Sequence, residues 1–119
     1  LGRARVLVIG LAYKKNVPDI RESPSLRLIE LIEERGGEAA FHDPHVTVIP
    51  RTRAYGALMG RASVPIEPAA VRRFDAVLIS TDHDAVDYAA LADWAPLIVD
   101  TRNAMARRGI TGPAIIVKA

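Results

Sequence analysis

The chain has 119 residues, enough for one domain with a core of its own and no covalent staples. Sixteen basic against fourteen acidic side chains leave a formal charge of +2, too even a balance to point to nucleic acid. There is no cysteine, which excludes disulfides, thiolate metal sites and a cysteine nucleophile, and no apolar run approaches the ~20 residues of a membrane span.

The opening residues, LGRARVLVIG, carry no signal-peptide pattern and run almost at once into an apolar stretch. With no initial methionine, this beginning reads as that of a domain cut from a longer protein. Val6, Leu7, Val8 and Ile9 are continuously apolar, as expected of a strand covered on both faces, and Gly10 ends the run. Tyr13, Lys14, Lys15, Asn16, Asp19 and Arg21 follow, too many polar groups for a mere connector. Ser23 and Pro24 are a good N-cap and first helical residue, and the spacing of Leu28, Ile29, Leu31 and Ile32 predicts a helix over 24–35. Gly36 and Gly37 stop it as a left-handed cap would. A strand over 38–42 and an exit turn at Asp43-Pro44 complete a βαβ unit with an expected right-handed crossover.

Residues 46–60 are hard to decipher, with weak helical character over 53–59. A short strand over 64–66 and a short helix over 68–74 are expected next, then the apolar strand AVLIS over 76–80. A helix over 88–95, capped by Asp87 and with Leu91 and Trp94 facing the core, leads to strands over 97–99 and 114–117. Alternating strands and helices predict an α/β fold, a three-layer doubly wound parallel sheet.

Three buried strands end in polar clusters: Tyr13/Lys14, Thr81/Asp82/His83 and Asp100/Arg102. A parallel sheet brings such ends to one edge, where open α/β sheets bind ligands, and the lysine and arginine favour an anion such as phosphate. Polar residues are also what loops ordinarily contain, and on pattern alone the two readings weigh equally. No G-x-G-x-x-G and no Walker loop follows the first strand. His42, Asp43 and His45 resemble a metal set, but Pro44 separates them in an extended turn, and a surface turn is the preferred reading. His83 beside Asp82 has the composition of a general base with an orienting carboxylate, although a solvated loop histidine is the commoner case. Asp19 and Arg21 are spaced to fix the arginine's direction or to form a weak exposed ion pair.

The segments GLAYKKNVPDIRESPSLRLIELIEERGGEAAFHDPHV, VLISTDHDAVDY and VDTRNA closely resemble the C-terminal, UDP-binding domain of the UDP-glucose/GDP-mannose dehydrogenase family. The pattern G-[LF]-[AS]-[YF]-K-x(4)-D-x-R-x-S, with D-P and D-x-R-N downstream, carries the resemblance over nearly the whole chain. It implies an incomplete Rossmann-like domain spanning residues 1–119 and forming part of a longer enzyme. By the same resemblance Tyr13 and Lys14 contact the UDP-sugar, and Arg102 reaches the same ligand. Asp19, Arg21 and Ser23 shape the loop and join the substrate-binding set.

The family oxidises the C6 alcohol of a nucleotide sugar to a carboxylate in two NAD-dependent steps, with a cysteine nucleophile and an N-terminal dinucleotide-binding domain. This chain has neither, so the resemblance implies a domain inactive alone, with NAD bound mainly by the missing part. The wording of the motifs looks most like bacterial UDP-N-acetylglucosamine and UDP-N-acetylmannosamine 6-dehydrogenases of surface polysaccharide synthesis; UDP-glucose and GDP-mannose remain alternatives. The implied partners are the UDP-sugar, the rest of the dehydrogenase chain and further copies in a homo-oligomer, with no nucleic acid or membrane, in the cytoplasm. Two rivals stay open: a free-standing nucleotide-binding or regulatory module, and a stand-alone enzyme using His83 and Asp82.

Overall fold

Runs of β-branched and aliphatic residues separate the helices of this chain, and five of them pair into one sheet. The computed structural model describes residues 3–21, 23–52 and 55–119. In chain order the elements are β1 (Arg5–Ile9), α1 (Pro24–Glu34), β2 (Glu38–His42), a 3-10 turn (Gly56–Leu58), α2 (Pro68–Val71), β3 (Ala76–Ile79), α3 (Tyr88–Trp94), β4 (Leu97–Asp100), α4 (Ala104–Arg107) and β5 (Ile115–Lys118). All pairings are parallel and the strand order is β2-β1-β3-β4-β5. The chain therefore winds outward from β1 to β2, then returns past β1 to β3 and continues to the other edge. The order reverses between β1 and β3, the position at whose carboxyl edge open α/β sheets bind ligands.

Alternating side chains of β1 enter two different cores. Leu7 and Ile9 join Val77, Ile79, Leu91, Ile98 and Met105 under α2, α3 and α4. Val8 joins Leu26, Ile29 and Ile32 of α1 with Phe41 on the opposite face. Leu7, Val8 and Ile9 are fully buried because the strand lies centrally, which explains its unbroken apolar run. Coverage fails toward β5, whose Ile115 and Val117 are 67% and 46% exposed. The sheet is thus doubly wound over β1 and β2 and largely single-layered at its far edge.

Local signals placed most helix ends correctly. Ser23 accepts the Ser25 N–H at 3.2 Å, and Pro24 occupies the first helical turn. Gly36 donates to the Glu33 carbonyl and Gly37 to that of Ile32, the paired bonds that close a helix through a left-handed residue; Gly36 has φ +87°. Asp87 accepts the Ala90 N–H at 3.1 Å at the start of α3, and Trp94 is half-buried against the larger core.

Three expectations need correction. Residues 64–66 form no strand: Pro65 lacks the N–H that a ladder needs, and Val64 instead bonds Phe41 through its N–H. Residues 72–74 continue α2 only as a turn, since the helix ends at Val71. Of the weak helix expected over 53–59, residues 53 and 54 lie outside the described residues, and 56–58 make a single 3-10 turn. The obscure segment has a clear role nonetheless. Val46, Ile49 and Leu58 are buried beside α1 and extend its core, closed by a bridge between Val48 and Ala62.

Candidate functional site

The loops that leave β1, β3 and β4 emerge side by side and are bonded to one another. Gly10 begins the first of them with φ +87°, and a Cβ there would lie 2.4 Å from the Thr81 carbonyl oxygen. Only glycine allows the two segments to touch. Thr81 reciprocates by donating its hydroxyl to the Ala12 carbonyl at 2.6 Å, and Ser25 and Ser80 hydroxyls meet at 2.6 Å beneath. Further out, Asn16 has φ +64° and is held at three points. Its N–H donates to His83 Nδ1 at 2.7 Å, its amide nitrogen to Asp84 Oδ2 at 2.7 Å, and its amide oxygen accepts the Asp84 N–H at 2.9 Å.

This scaffolding presents Tyr13 and Lys14 to solvent. Lys14 Nζ lies 5.5 Å from the Tyr13 ring centre, and among the described residues it has no ion-pair partner. Lys15 turns the other way and pairs loosely with Asp84 at 3.7 Å. The Asp19 carbonyl accepts the Tyr13 N–H at 3.1 Å, closing the loop. Asp19 and Arg21 form a two-pronged pair, with Nε to Oδ1 at 3.1 Å and Nη2 to Oδ2 at 2.8 Å. Bonding to that guanidinium and to the Arg21 N–H holds the Asp19 carboxyl down at about 2. Ser23 is buried, donates to the Leu11 carbonyl and caps α1, so its hydroxyl is committed to shaping the loop.

Arg102 stands at the third strand end. Its Nε donates to the Ser80 carbonyl at 2.9 Å, and among the described residues its two terminal nitrogens have no partner. Asp100 does not pair with this guanidinium. It is buried and accepts the N–H groups of Arg102, Ala104 and Met105 at 2.9–3.1 Å. Those bonds start α4, a helix that sequence inspection missed; the signal for it was the acidic residue four positions ahead of Ala104. Asp100, Thr101, Arg102, Asn103, Lys118 and Ala119 line an open groove of about 560 Å³.

Two sequence readings are overturned at this edge. Asp43 belongs to no surface turn: it is 1% exposed and accepts from Leu11 N–H (2.7 Å), His83 Nε2 (2.8 Å), His45 N–H (2.7 Å) and Val46 N–H (3.1 Å). Burial alone pushes its carboxyl up, yet these donors outweigh it and leave the group below its ordinary value. His83 is likewise no solvated loop residue. It is wholly buried, and its carboxylate partner is Asp43 rather than Asp82, which pairs with Arg107. Sequence inspection could not join Asp43 to His83 because 40 residues separate them. Among the described residues no three His, Cys, Asp or Glu side chains are placed to hold a metal, and no helix is long and apolar enough to cross a membrane.

Residues 7–107 match the UDP-binding domain of the UDP-glucose/GDP-mannose dehydrogenase family. The chain belongs to this family. It is 30% identical over 105 residues to the UDP-glucose 6-dehydrogenase of Rhizobium meliloti, which covers 84% of this chain and 23% of that protein. A second relative, the NDP-N-acetyl-D-galactosaminuronic acid dehydrogenase of Ralstonia nicotianae, is 32% identical over 66% of this chain and 17% of its own length. Among solved structures, the UDP-glucose dehydrogenase of Pyrobaculum islandicum superposes with a TM-score of 0.71 at 28% identity, over 98% of this chain and 25% of that one. The UDP-D-ManNAc dehydrogenase of Pyrococcus horikoshii gives 0.70 at 26% identity over the same shares. The chain thus spans about a quarter or less of these relatives. All are named as dehydrogenases of nucleotide sugars, and the part of them that this chain matches is the α/β UDP-binding domain.

Proposed function

We propose that this chain binds the UDP portion of a nucleotide sugar at the carboxyl edge of its sheet, as the UDP-binding part of an NAD-dependent 6-dehydrogenase. The observation that carries this reading is the placement of two cations, Lys14 and Arg102, on the exits of β1 and β4, the strands on either side of β3. The Ser80 carbonyl orients the Arg102 guanidinium and leaves its outer fork available to two phosphate oxygens. Lys14 adds a mobile point charge, and the Tyr13 ring offers a face for a base or sugar. Asp19, Arg21 and Ser23 hold the loop that carries them.

The residues present do not fit NAD in the Rossmann manner. The space above Gly10, where a pyrophosphate would approach the backbone, is filled by Thr81. Without a cysteine, the chain also lacks the nucleophile used in oxidising the C6 alcohol to a uronate. Both belong to residues beyond these 119, in an enzyme acting on a UDP-N-acetylhexosamine or on UDP-glucose in the cytoplasm. Calorimetric and NMR titration of the chain with UDP tests the binding reading. Saturable, salt-sensitive binding with shifts over residues 10–16 and 100–103 is expected. Shifts confined to 46–60 would move the site elsewhere, and the absence of any shift would end the proposal. NADH absorbance with UDP-sugars should stay at background.

A further inference from the structure

We propose that His83 is a positioning residue for the UDP site, its neutral imidazole clamping the Tyr13–Lys14 loop through the backbone N–H of Asn16. The inference rests on the UDP-binding reading above and assigns to that site a buried group which touches no ligand. His83 has no exposed surface, yet both ring nitrogens are engaged in opposite senses. Nδ1 is 2.7 Å from the Asn16 nitrogen, a donor, so Nδ1 must carry a lone pair. Nε2 then carries the proton and donates to Asp43 Oδ2 at 2.8 Å. Asp43 itself is fixed by three backbone N–H groups, one of them that of Leu11 in the same loop. The His45 ring packs edge-on with its centre 4.7 Å from that of His83, and the Tyr88 hydroxyl holds the His83 carbonyl at 2.7 Å.

The imidazole is therefore oriented from one side and acts on the other. Its target, Asn16, sits in a left-handed conformation two residues after Lys14. Asparagine tolerates that conformation better than most residues, and the bonds to His83 and Asp84 hold Asn16 in it. Asn16 is also gripped by Asp84 through its side chain, and among the described residues the ring supplies the one bond to its backbone N–H. Among the described residues, loss of the Nδ1 acceptor leaves residues 13–16 tied to the loop after β3 only through Asp84. Lys14 and Tyr13 must then be ordered by the ligand, at a cost in affinity.

Two substitutions separate the two faces of the ring. In His83→Asn the amide oxygen lies near the position of Nδ1 and keeps an acceptor for Asn16. In His83→Gln the amide nitrogen lies near Nε2 and keeps a donor for Asp43 only. UDP titration of the chain should show His83→Gln weaker by roughly three- to tenfold, with His83→Asn close to wild type. Hydrogen exchange of the Asn16 amide should quicken in His83→Gln alone. Folded variants that both bind UDP like wild type overturn the clamp, as does equal weakening in both. A wild-type chain that binds no UDP overturns the underlying reading instead, and with it the role in ligand binding. Should neither variant fold, the wild-type ring decides: a nitrogen-15 signal of an unprotonated Nδ1 with a protected Asn16 amide is expected at neutral pH. A protonated Nδ1, or an Asn16 amide exchanging as fast as an exposed loop, rules the proposal out.

Discussion

Arg102 illustrates how one residue serves two masters. One of its nitrogens anchors it to the Ser80 carbonyl, while the remaining donors face the groove beside α4. Removing a charge-assisted hydrogen bond costs about 1.5–3 kcal/mol, so Arg102→Ala should weaken UDP binding roughly ten- to hundredfold. Arg102→Lys should recover only part, because an ammonium cannot hold the carbonyl and present a planar fork together. Calorimetry on variants with wild-type circular dichroism checks both values. A folded Arg102→Ala chain with unchanged affinity would remove the residue from the site. Asp43 shows the converse economy: it faces no ligand groove, yet four donors depend on its carboxylate.

At the scale of elements, α1 and β5 are opposites. α1 buries Leu26, Ile29 and Ile32 against β1 and β2 and is capped at both ends. Its polar face is tied by Arg27 to Glu30 and Glu34 at 2.9 and 3.2 Å, exposed pairs of small energetic value. β5 pairs on one side only, and its Ile115 and Val117 stay open to solvent. Ile29→Ala should therefore lose about 2–5 kcal/mol to transfer and cavity terms. Ile115→Ala should stay within about 0.5 kcal/mol of wild type. Urea unfolding with an unchanged slope measures both. Equal losses would mean that the open face of β5 is covered in solution.

Across the whole molecule, acid should act in two stages. Burial lowers the His42 imidazole below its ordinary 6.5. The carboxyls of Asp43, Asp19 and Asp84 also lie below 3.8, held by their hydrogen-bond donors, with Asp19 near 2. In each case the folded pKa is depressed, so between the two values the unfolded chain binds more protons and stability rises with pH. The contributions are complete above the unfolded values and disappear as pH falls through the folded ones. Melting temperature should thus decline gently below about pH 6.5 and more steeply from about pH 4 toward about pH 2. A melting temperature that is flat over that range would contradict the linkage. Solvent screens the half-buried Asp19 and the exposed Asp84, which makes the buried Asp43 the main carboxylate contributor.

Much of this architecture was written locally. The unbroken apolar run of β1, the Ser23-Pro24 start and Gly36-Gly37 stop of α1, and the Asp87 cap of α3 are decided by neighbours a few residues apart, so reading the chain in order finds them. The convergence of the β1, β3 and β4 exits also followed, because a parallel sheet leaves such ends no other edge. Where the order reverses, and which polar residues at that edge are buried, depended on packing between segments distant in the chain. Residues 46–60 looked formless because Val46, Ile49 and Leu58 follow neither helical nor strand spacing; only the completed α1 core gives them a common place. Pro65 removed a strand that composition alone favoured. Asp43 and His83 looked like exposed loop residues for the same reason. A carboxylate and an imidazole are buried only where donors from other loops meet them, and the tertiary fold brings Leu11, Asn16, Asp43 and His83 together.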